Sequence, residues 1–287
     1  MKTRIITGVI LIAAVLAWLF LASYEIFALG ALFMYMVAAW EMGPLIGFKS
    51  RVTFLGIAAV VACAVFYFAV PGNFKELPIP RWCFYLVASG LIVWVFSLPL
   101  LYKFPALDGW HKSRLLGTIY ALLMLVPFLM GLLILRADSF ATDPRQGAFL
   151  VAGVMALAIA ADTGAYFTGR AIGKTPMIPR VSPHKTMEGL AGGILLALIV
   201  MVLLTRFGWY SNYGADLAKL LIAGGVTVLF SVVGDLVESM LKRMAGIKDS
   251  GKIFPGHGGM LDRIDSQLAS VPVFITMNLV LGNAVQA

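Results

Sequence analysis

Residues 226–265 read VTVLFSVVGDLVESMLKRMAGIKDSGKIFPGHGGMLDRID, an apolar run that leads directly into a dense polar stretch. The polar part, residues 235–265, holds five basic residues, five carboxylates, one histidine and paired glycines. Charge at this density beside a membrane span is costly and is usually functional. The mixture is also chemically coherent, because carboxylates hold divalent metals, bases hold phosphate, and glycines let the backbone approach both.

The rest of the chain is far more apolar than a soluble domain. Its 287 residues are 61% hydrophobic and 13% charged, whereas soluble domains carry about 25% charged residues. We therefore predict an all-α, polytopic membrane protein with about nine transmembrane helices. The apolar runs of spanning length are 5–22, 26–42, 53–70, 83–101, 115–135, 148–168, 190–206, 217–234 and 267–284.

The distribution of Lys and Arg predicts the orientation. With the N-terminus in the cytoplasm, 16 of the 22 basic residues fall on the cytoplasmic side and six on the other, as the positive-inside rule requires. This orientation places the polar loops 169–189 and 235–266 in the cytoplasm. Residues 1–147 would form an N-terminal region of about five spans with little chemistry, and residues 148–287 a catalytic region of about four.

Several classes of function have no support in the sequence. Cys63 and Cys83 stand alone in apolar surroundings, and no CxxC or HExxH motif is present, so zinc and iron–sulfur chemistry lack ligands. The net charge of +8 fits cytoplasmic loops beside anionic head groups better than it fits nucleic-acid binding.

Two acidic pairs flank the last polar loop. Asp235 and Glu238 follow the eighth apolar run, and Asp262 and Asp265 precede the ninth. On a helix, residues three apart share a face, so the pairs could meet across a cleft, where hard carboxylate oxygens suit Mg²⁺. The alternative is that these acids pair with neighbouring bases in a solvated belt of charge.

Basic residues lie among the acids. Lys242, Arg243, Lys248 and Lys252 are suited to phosphate binding, although contact with lipid head groups is an open alternative. His257 lies between glycines in the segment PGHGG, residues 255–259. Such glycines favour close approach of the backbone to a ligand.

A second candidate segment runs from Asp162 to Gly193. Asp162 ends an apolar run, and an ionisable group at membrane depth needs a partner or a task. Pairing of Asp162 with Arg170 or Lys185 is the structural alternative. The Gly-Lys and Lys-Thr pairs do not meet the spacing of a P-loop, and the glycines at 189, 192 and 193 would also permit close helix packing.

The polar segment from Ser239 to Asp265 resembles the signature of the phosphatidate cytidylyltransferases, also called CDP-diacylglycerol synthases. The upstream segment and the opening residues 2–5 are similar to that family as well. The residues that carry the resemblance downstream are Ser239, Lys242, Arg243, Lys248, Asp249, Gly251, Phe254, Pro255, His257, Gly258, Gly259, Met260, Asp262, Arg263, Ile264 and Asp265.

The resemblance implies transfer of CMP from CTP to phosphatidic acid, giving CDP-diacylglycerol and pyrophosphate. The reaction would depend on Mg²⁺, and whether a second metal ion takes part stays open. Asp235 and Asp262 would be the main metal ligands, with Glu238 and Asp265 as further candidates. Triphosphate or lipid phosphate would be bound by Lys242, Arg243, Lys248 and Arg263. The substrate-binding candidates are Asp162, Tyr166, Ser182, Lys185, Thr186, Glu188, Asp249, His257, Gly258 and Gly259.

The implied partners are CTP, phosphatidic acid and membrane lipids, with no nucleic acid, at the cytoplasmic face of the cell membrane. The oligomeric state stays open, with a homodimer as one alternative. An ion-coupled transporter would carry charges near the membrane midplane and would often consist of two repeated halves. In this chain the charges cluster toward one face, and the two halves are dissimilar. The aspartate spacing of CDP-alcohol phosphotransferases is not found, and a membrane scaffold would not need such matched polar groups.

Overall fold

A computed structural model describes residues 2–69, 79–106, 109–110, 113–139, 143–211, 213 and 216–283, with only the backbone described for 2–5 and 68–69. These residues form ten helices and one antiparallel hairpin. The elements are α1 Lys2–Leu21, α2 Tyr24–Leu45, α3 Arg51–Ala69, α4 Arg81–Ala88, α5 Gly90–Tyr102, α6 Arg114–Ala137, α7 Gln146–Ile172, β1 Pro176–Ile178, β2 Ser182–Thr186, α8 Met187–Arg206, α9 Leu217–Met244 and α10 Leu261–Val280.

The mainly helical prediction is confirmed, and each of the nine predicted runs falls on helix. Six segments of the described chain are long and apolar enough to cross a membrane: α2, α4 together with α5, α6, α7, α8 and α9. Helices α1 and α3 contribute shorter apolar stretches, Ile6–Leu21 and Arg51–Tyr67. The predicted span ends at residues 70 and 284 lie outside the described residues.

The fourth predicted run is broken at Ser89, between α4 and α5. The Ser89 hydroxyl donates to the Leu86 carbonyl oxygen at 2.6 Å, which offers the backbone an alternative partner and favours a bend. Gly90 follows, and a Cβ added there would lie 2.9 Å from Pro127 Cβ of α6. The break therefore lets the chain pass close to α6.

Helix α10 lies at the centre of the bundle. It packs against α2, α4, α5, α6, α7 and α9, and nearly all of its residues from Ser266 to Thr276 are buried. Its polar side chains bond to carbonyls of the same helix: Ser270 to Ser266 and Thr276 to Pro272. Because its neighbours shield it from lipid, α10 can be less apolar than the helices around it.

The predicted loop at 235–266 is too long, and the structure corrects it. Helix α9 continues to Met244, and α10 begins at Leu261. Leu236, Val237, Met240 and Leu241 are buried, so the apolar face of α9 extends past Asp235 and keeps the chain helical. The connecting loop therefore contains residues 245–260, and the acids at both of its ends lie on helices.

Helices α7 and α8 pack closely through small residues. A Cβ added at Gly164 would lie 2.7 Å from the Gly192 carbonyl oxygen, and one at Gly193 would lie 2.5 Å from the Ala161 carbonyl oxygen. Close backbone approach of this kind is how glycines join helices in membranes. The glycines upstream of the site thus serve helix packing, and the β1–β2 hairpin links the two helices at one end.

Candidate active site

The acidic ends of α9 and α10 are brought together by a close helix contact. A Cβ added at Gly234 would lie 2.6 Å from the Asp265 carbonyl oxygen, so any larger residue there would push the helices apart. Asp235, the next residue of α9, lies close enough to Asp265 at the beginning of α10 for the two carboxylates to interact electrostatically. Of the two acidic pairs predicted to meet across a cleft, Asp235, Asp262 and Asp265 line one cavity, whereas Glu238 does not line it and pairs with Lys242, as the alternative prediction had it.

A cavity of about 930 Å³ opens between the two helix ends and the loop that joins them. Seven of the residues predicted as catalytic or metal-binding line it. Every Asp, Glu, Lys and Arg of residues 235–265 except Glu238 belongs to the lining. The lining residues are Asp235, Ser239, Lys242, Arg243, Lys248, Asp249, Gly251, Lys252, Phe254, Pro255, Gly256, His257, Gly258, Asp262, Arg263 and Asp265.

Asp262 is the most firmly held acid of the cavity. Its Oδ2 atom accepts hydrogen bonds from the Gly259 N–H at 2.8 Å and from the Ser250 N–H at 3.0 Å, and Ser250 Oγ lies at 3.0 Å. Lys242 Nζ lies 2.7 Å from Oδ1. Burial opposes ionisation, yet the hydrogen bonds from Lys242 and Gly259 hold the pKa of Asp262 below its usual range, at about 2.

Lys242 lies between two carboxylates. Its Nζ atom is 2.5 Å from Glu238 Oε2 as well as 2.7 Å from Asp262 Oδ1. The Glu238 side chain is 1% exposed, and neither of its oxygens accepts a directed hydrogen bond among the described residues. The contact is therefore an ion pair, and Glu238 lies behind the cavity wall.

Asp235 is held more loosely. Its Oδ2 atom lies 2.5 Å from Lys185 Nζ, and both side chains are 25% exposed. Ser239 Oγ lies 3.5 Å from Oδ1, which is too long for a strong hydrogen bond. Burial, together with the nearby Asp235 carboxylate, raises the pKa of Asp265 to about 7.

None of the substrate-binding candidates upstream of Asp235 lines the cavity, and Lys185 is connected to it through its contact with Asp235. Asp162 is close enough to Lys185 and Asp235 to interact electrostatically with both. Thr186 Oγ1 accepts from the Gly189 N–H at 3.1 Å and so caps α8. Ser182 lies on β2, and Tyr166 accepts a hydrogen bond at 2.9 Å from Arg170.

Glu188 is engaged in local structure. Its Oε2 atom accepts hydrogen bonds at 3.1 Å from the N–H groups of Lys174 and Thr175, and its Oε1 atom accepts one at 2.8 Å from the Thr175 hydroxyl. The carboxylate thus fastens the start of the hairpin segment to the first turn of α8. This geometry makes Glu188 a support for the loop, in addition to its predicted role beside the substrate.

The loop that connects α9 and α10 contains a tight turn at residues 254–258. Phe254 N–H donates to the Gly258 carbonyl oxygen at 3.0 Å, and Gly256 and Gly258 have φ values of +78° and +81°, a region that favours glycine. His257 extends from this turn toward α1, where a Cβ added at Gly8 would lie 3.8 Å from His257 Nε2.

The chain also matches known proteins over most of its length. The cytidylyltransferase family matches residues 2–281. The chain belongs to the cytidylyltransferase family. It is 38% identical over 285 residues to a phosphatidate cytidylyltransferase of Haemophilus influenzae, covering 96% of this chain and 97% of that protein.

Two further relatives carry the same name. A phosphatidate cytidylyltransferase of Pseudomonas aeruginosa is 35% identical over 280 residues, covering 96% of both chains. One of Bacillus subtilis is 34% identical over 207 residues, covering 63% of this chain and 74% of that protein. The family resemblance drawn from residues 239–265 is therefore confirmed.

Sequence reasoning missed one acid that reaches the site. Glu41 of α2 is fully buried and accepts hydrogen bonds from Ser250 and from the N–H of Leu261. It lies near the end of the second predicted span, where an ionisable residue is a functional candidate by default. That signal was available in residues 1–147, but no sequence motif joined Glu41 to a loop more than 200 residues away.

The donors around the cavity fit Mg²⁺. Within the described residues no group of three or more Asp, Glu, His or Cys side chains is arranged as a complete metal site. Mg²⁺ does not need one, because it is usually bound by one or two carboxylates, with substrate phosphates and waters as its other ligands. Asp235 and Asp265 offer hard oxygens whose mutual repulsion a cation would relieve.

Proposed function

We propose that the protein transfers CMP from CTP to phosphatidic acid, giving CDP-diacylglycerol and pyrophosphate. The observation that carries this proposal is the cavity at the ends of α9 and α10, in which carboxylates and bases face one another. A phosphate oxygen of the lipid would attack the α-phosphorus of CTP, forming a P–O bond. The bond from the α-phosphorus to the bridging oxygen would break, and pyrophosphate would leave with its electron pair.

Three bases of the cavity are suited to bind these anions. Arg243, Lys248 and Arg263 are exposed in the cavity lining, and none forms an ion pair within the described part of the chain. A guanidinium group binds phosphate through two parallel hydrogen bonds, and an ammonium group adds a mobile charge. Because both substrates are anionic, aligning them and offsetting their repulsion is the main catalytic task.

Lys185 would orient the Asp235 carboxylate, and Lys242 would orient the Asp262 carboxylate. Each already contacts a carboxylate, so each can keep its aspartate oriented before substrate enters. Asp235 and Asp262 would hold Mg²⁺, with Asp265 as a further candidate and room for a second metal ion. Glu238, which the sequence also offered as a ligand, does not line the cavity and would hold Lys242 in place instead. The metal would supply positive charge that neutralises the triphosphate and polarises its phosphorus–oxygen bonds.

Because the nucleophile is already an anion, no strong general base is needed. The loop glycines Gly258 and Gly259 would let backbone N–H groups approach the phosphates, and His257 and Asp249 would contact the substrate from the same loop. Asp162, Tyr166, Ser182, Thr186 and Glu188 would form or support the nucleotide side. Acyl chains would enter from the bilayer between helices.

We also infer nine membrane crossings with the N-terminus in the cytoplasm. The support is that α4 and α5 together make one crossing, and that the central α10 is shielded by its neighbours. The site would then face the cytoplasm, where CTP is present. Labelling of Lys252→Cys and Lys219→Cys variants from opposite sides of oriented vesicles would test this, since the two residues should react on opposite faces.

The activity itself is tested with the purified protein in detergent. Labelled CTP and phosphatidic acid should give labelled CDP-diacylglycerol and free pyrophosphate with Mg²⁺, and no labelled lipid without it. Absence of labelled lipid with Mg²⁺ present would refute the proposal. The sedimentation mass of the same preparation, corrected for detergent, decides between a monomer and a homodimer, which the sequence left open.

A further inference from the structure

Glu41 is an acid in an unusual position. It lies on α2, its side chain has no exposed surface, and its helix belongs to residues 1–147, in which no candidate site residue was predicted. A buried carboxylate is costly unless its charge or hydrogen bonds are satisfied. Its retention inside a membrane bundle therefore calls for a specific partner.

The partners of Glu41 lie at the start of α10. Oε2 accepts the N–H of Leu261 at 2.9 Å and lies 3.0 Å from Ser250 Oγ. The Leu261 N–H belongs to the first turn of α10, where backbone donors lack partners within the helix and a negative charge is favourable. Glu41 thus fixes the end of α10 from a different helix.

Ser250 connects Glu41 to Asp262. Its hydroxyl oxygen lies 3.0 Å from Glu41 Oε2 and 3.0 Å from Asp262 Oδ2, and its own side chain is 1% exposed. A hydroxyl has a single proton, so the two carboxylates share one donor. The position of the Asp262 carboxylate therefore depends on where Glu41 holds Ser250.

Two loop glycines allow this contact. A Cβ added at Gly251 or at Gly259 would collide with the Glu41 carboxylate. Oε1 of Glu41, the oxygen on this side, has no hydrogen-bond partner among the described residues. The loop is thus folded onto Glu41 at backbone contact, and Gly259 is also the residue whose N–H binds Asp262.

We propose that Glu41 is a positioning residue of the active site, which holds Ser250 and the first turn of α10 so that Asp262 is presented to the metal and the substrate phosphates. This inference rests on the proposed function, in which Asp262 is a metal ligand. It assigns a part of the site to the N-terminal half of the chain. Glu41 itself touches neither substrate nor metal.

The test uses the full-length protein in detergent with the variants Glu41→Ala, Glu41→Gln and Ser250→Ala. Tyr35→Phe is the matched control, because it removes a buried 3.1 Å hydrogen bond from the same helix to Ala58, away from the site. Three quantities are measured: the thermal midpoint, the affinity for Mn²⁺ alone by electron paramagnetic resonance, and kcat with KM for CTP.

Glu41→Ala should lower both Mn²⁺ affinity and kcat by about 10- to 100-fold, as loss of a group that orients a metal ligand does. Glu41→Gln keeps one acceptor oxygen and should fall between wild type and Glu41→Ala. Tyr35→Phe should lower only the thermal midpoint. In the double variant Glu41→Ala, Ser250→Ala, the fold-losses of Mn²⁺ affinity and kcat should be smaller than the product of the two single losses. The reason is that Glu41 acts on Asp262 through Ser250, so the two substitutions interrupt the same contact.

The inference is overturned if Glu41→Ala behaves as Tyr35→Phe does, or if the two single losses multiply. If Glu41→Ala cannot be recovered folded, the double-mutant cycle is made with Glu41→Gln and Ser250→Ala instead. In that case, wild-type values of Mn²⁺ affinity and kcat in Glu41→Gln overturn the inference. A wild-type protein that binds Mn²⁺ but makes no CDP-diacylglycerol refutes the proposed function instead, and the Mn²⁺ measurements still decide the role of Glu41.

Discussion

Asp262 and Asp235 carry the same carboxylate and each meets a lysine, yet their surroundings differ. The Asp262 side chain is 7% exposed and accepts hydrogen bonds from two backbone N–H groups as well as from Lys242. The Asp235 side chain is 25% exposed and depends mainly on Lys185. Backbone donors cannot move away when substrate enters, whereas a lysine can turn toward a phosphate.

We infer from this contrast that the two sides of the candidate site have different roles. The Asp262 side is a fixed frame, built by the loop, α10 and Glu41. The Asp235 side is adaptable, since its lysine lies on the hairpin rather than on the helices of the core.

The largest effect is expected from Asp262→Asn and Asp235→Asn. Both should lower kcat by about a hundredfold or more, as loss of a charged group at the reacting centre does. Asp262→Asn should also lower the thermal midpoint, because the amide NH₂ must face either backbone donors or the Lys242 ammonium. Rates of CDP-diacylglycerol formation and thermal melts in detergent measure both effects. Near-normal turnover with normal Mg²⁺ dependence in either variant contradicts its role as a ligand.

Replacing Lys242 should cost more unfolding free energy than replacing Lys185. Lys242→Met leaves Glu238 and Asp262 without their cation, and breaking such a buried pair costs about 3–5 kcal/mol. Lys185→Met breaks a partly exposed pair, so its cost should stay within about 1 kcal/mol, while KM for CTP rises. Denaturant unfolding in detergent compares the two. Equal losses of unfolding free energy would contradict the contrast between frame and adaptable side.

Gly259→Ala should distort the frame. Its Cβ would collide with Glu41 and with Ser250, and overpacking of this kind costs about 1–3 kcal/mol. Gly225→Ala on α9 is the control, because a Cβ there meets nothing within 4 Å and alanine favours helix. Thermal midpoints should fall only for Gly259→Ala, and a similar fall in both would show that the Glu41 contact is unimportant.

The two serines give the smallest effects. Ser250→Ala should lower kcat about tenfold through Asp262. Ser239→Ala should change kcat by less than about twofold, because a 3.5 Å contact to Asp235 is too long to contribute much. Steady-state rates at saturating CTP compare them. A larger loss for Ser239→Ala would reverse the assignment of the rigid and the adaptable side.

Much of this architecture was predictable from the sequence. The apolar runs predict helices, because only hydrogen bonds within a helix satisfy the backbone in lipid. The acids, bases and glycines of residues 235–265 predict a site, because charge beside a membrane is costly without a function. The break at Ser89 and the continuation of α9 to Met244 were not predicted. A serine in an apolar run does not by itself end a helix, since Ser97 lies within α5, and the burial that keeps α9 helical past Asp235 comes from other helices.

Local composition and spacing suffice to predict that helices form, that the candidate site lies where α9 ends and α10 begins, and which family the chain belongs to. The pairing of each carboxylate with its lysine, and the contact of Glu41 with the loop at Ser250, come from the folded bundle alone. Those contacts join residues up to 209 positions apart. They depend on how helices pack across the bundle, and the order of residues along one segment carries no record of that packing.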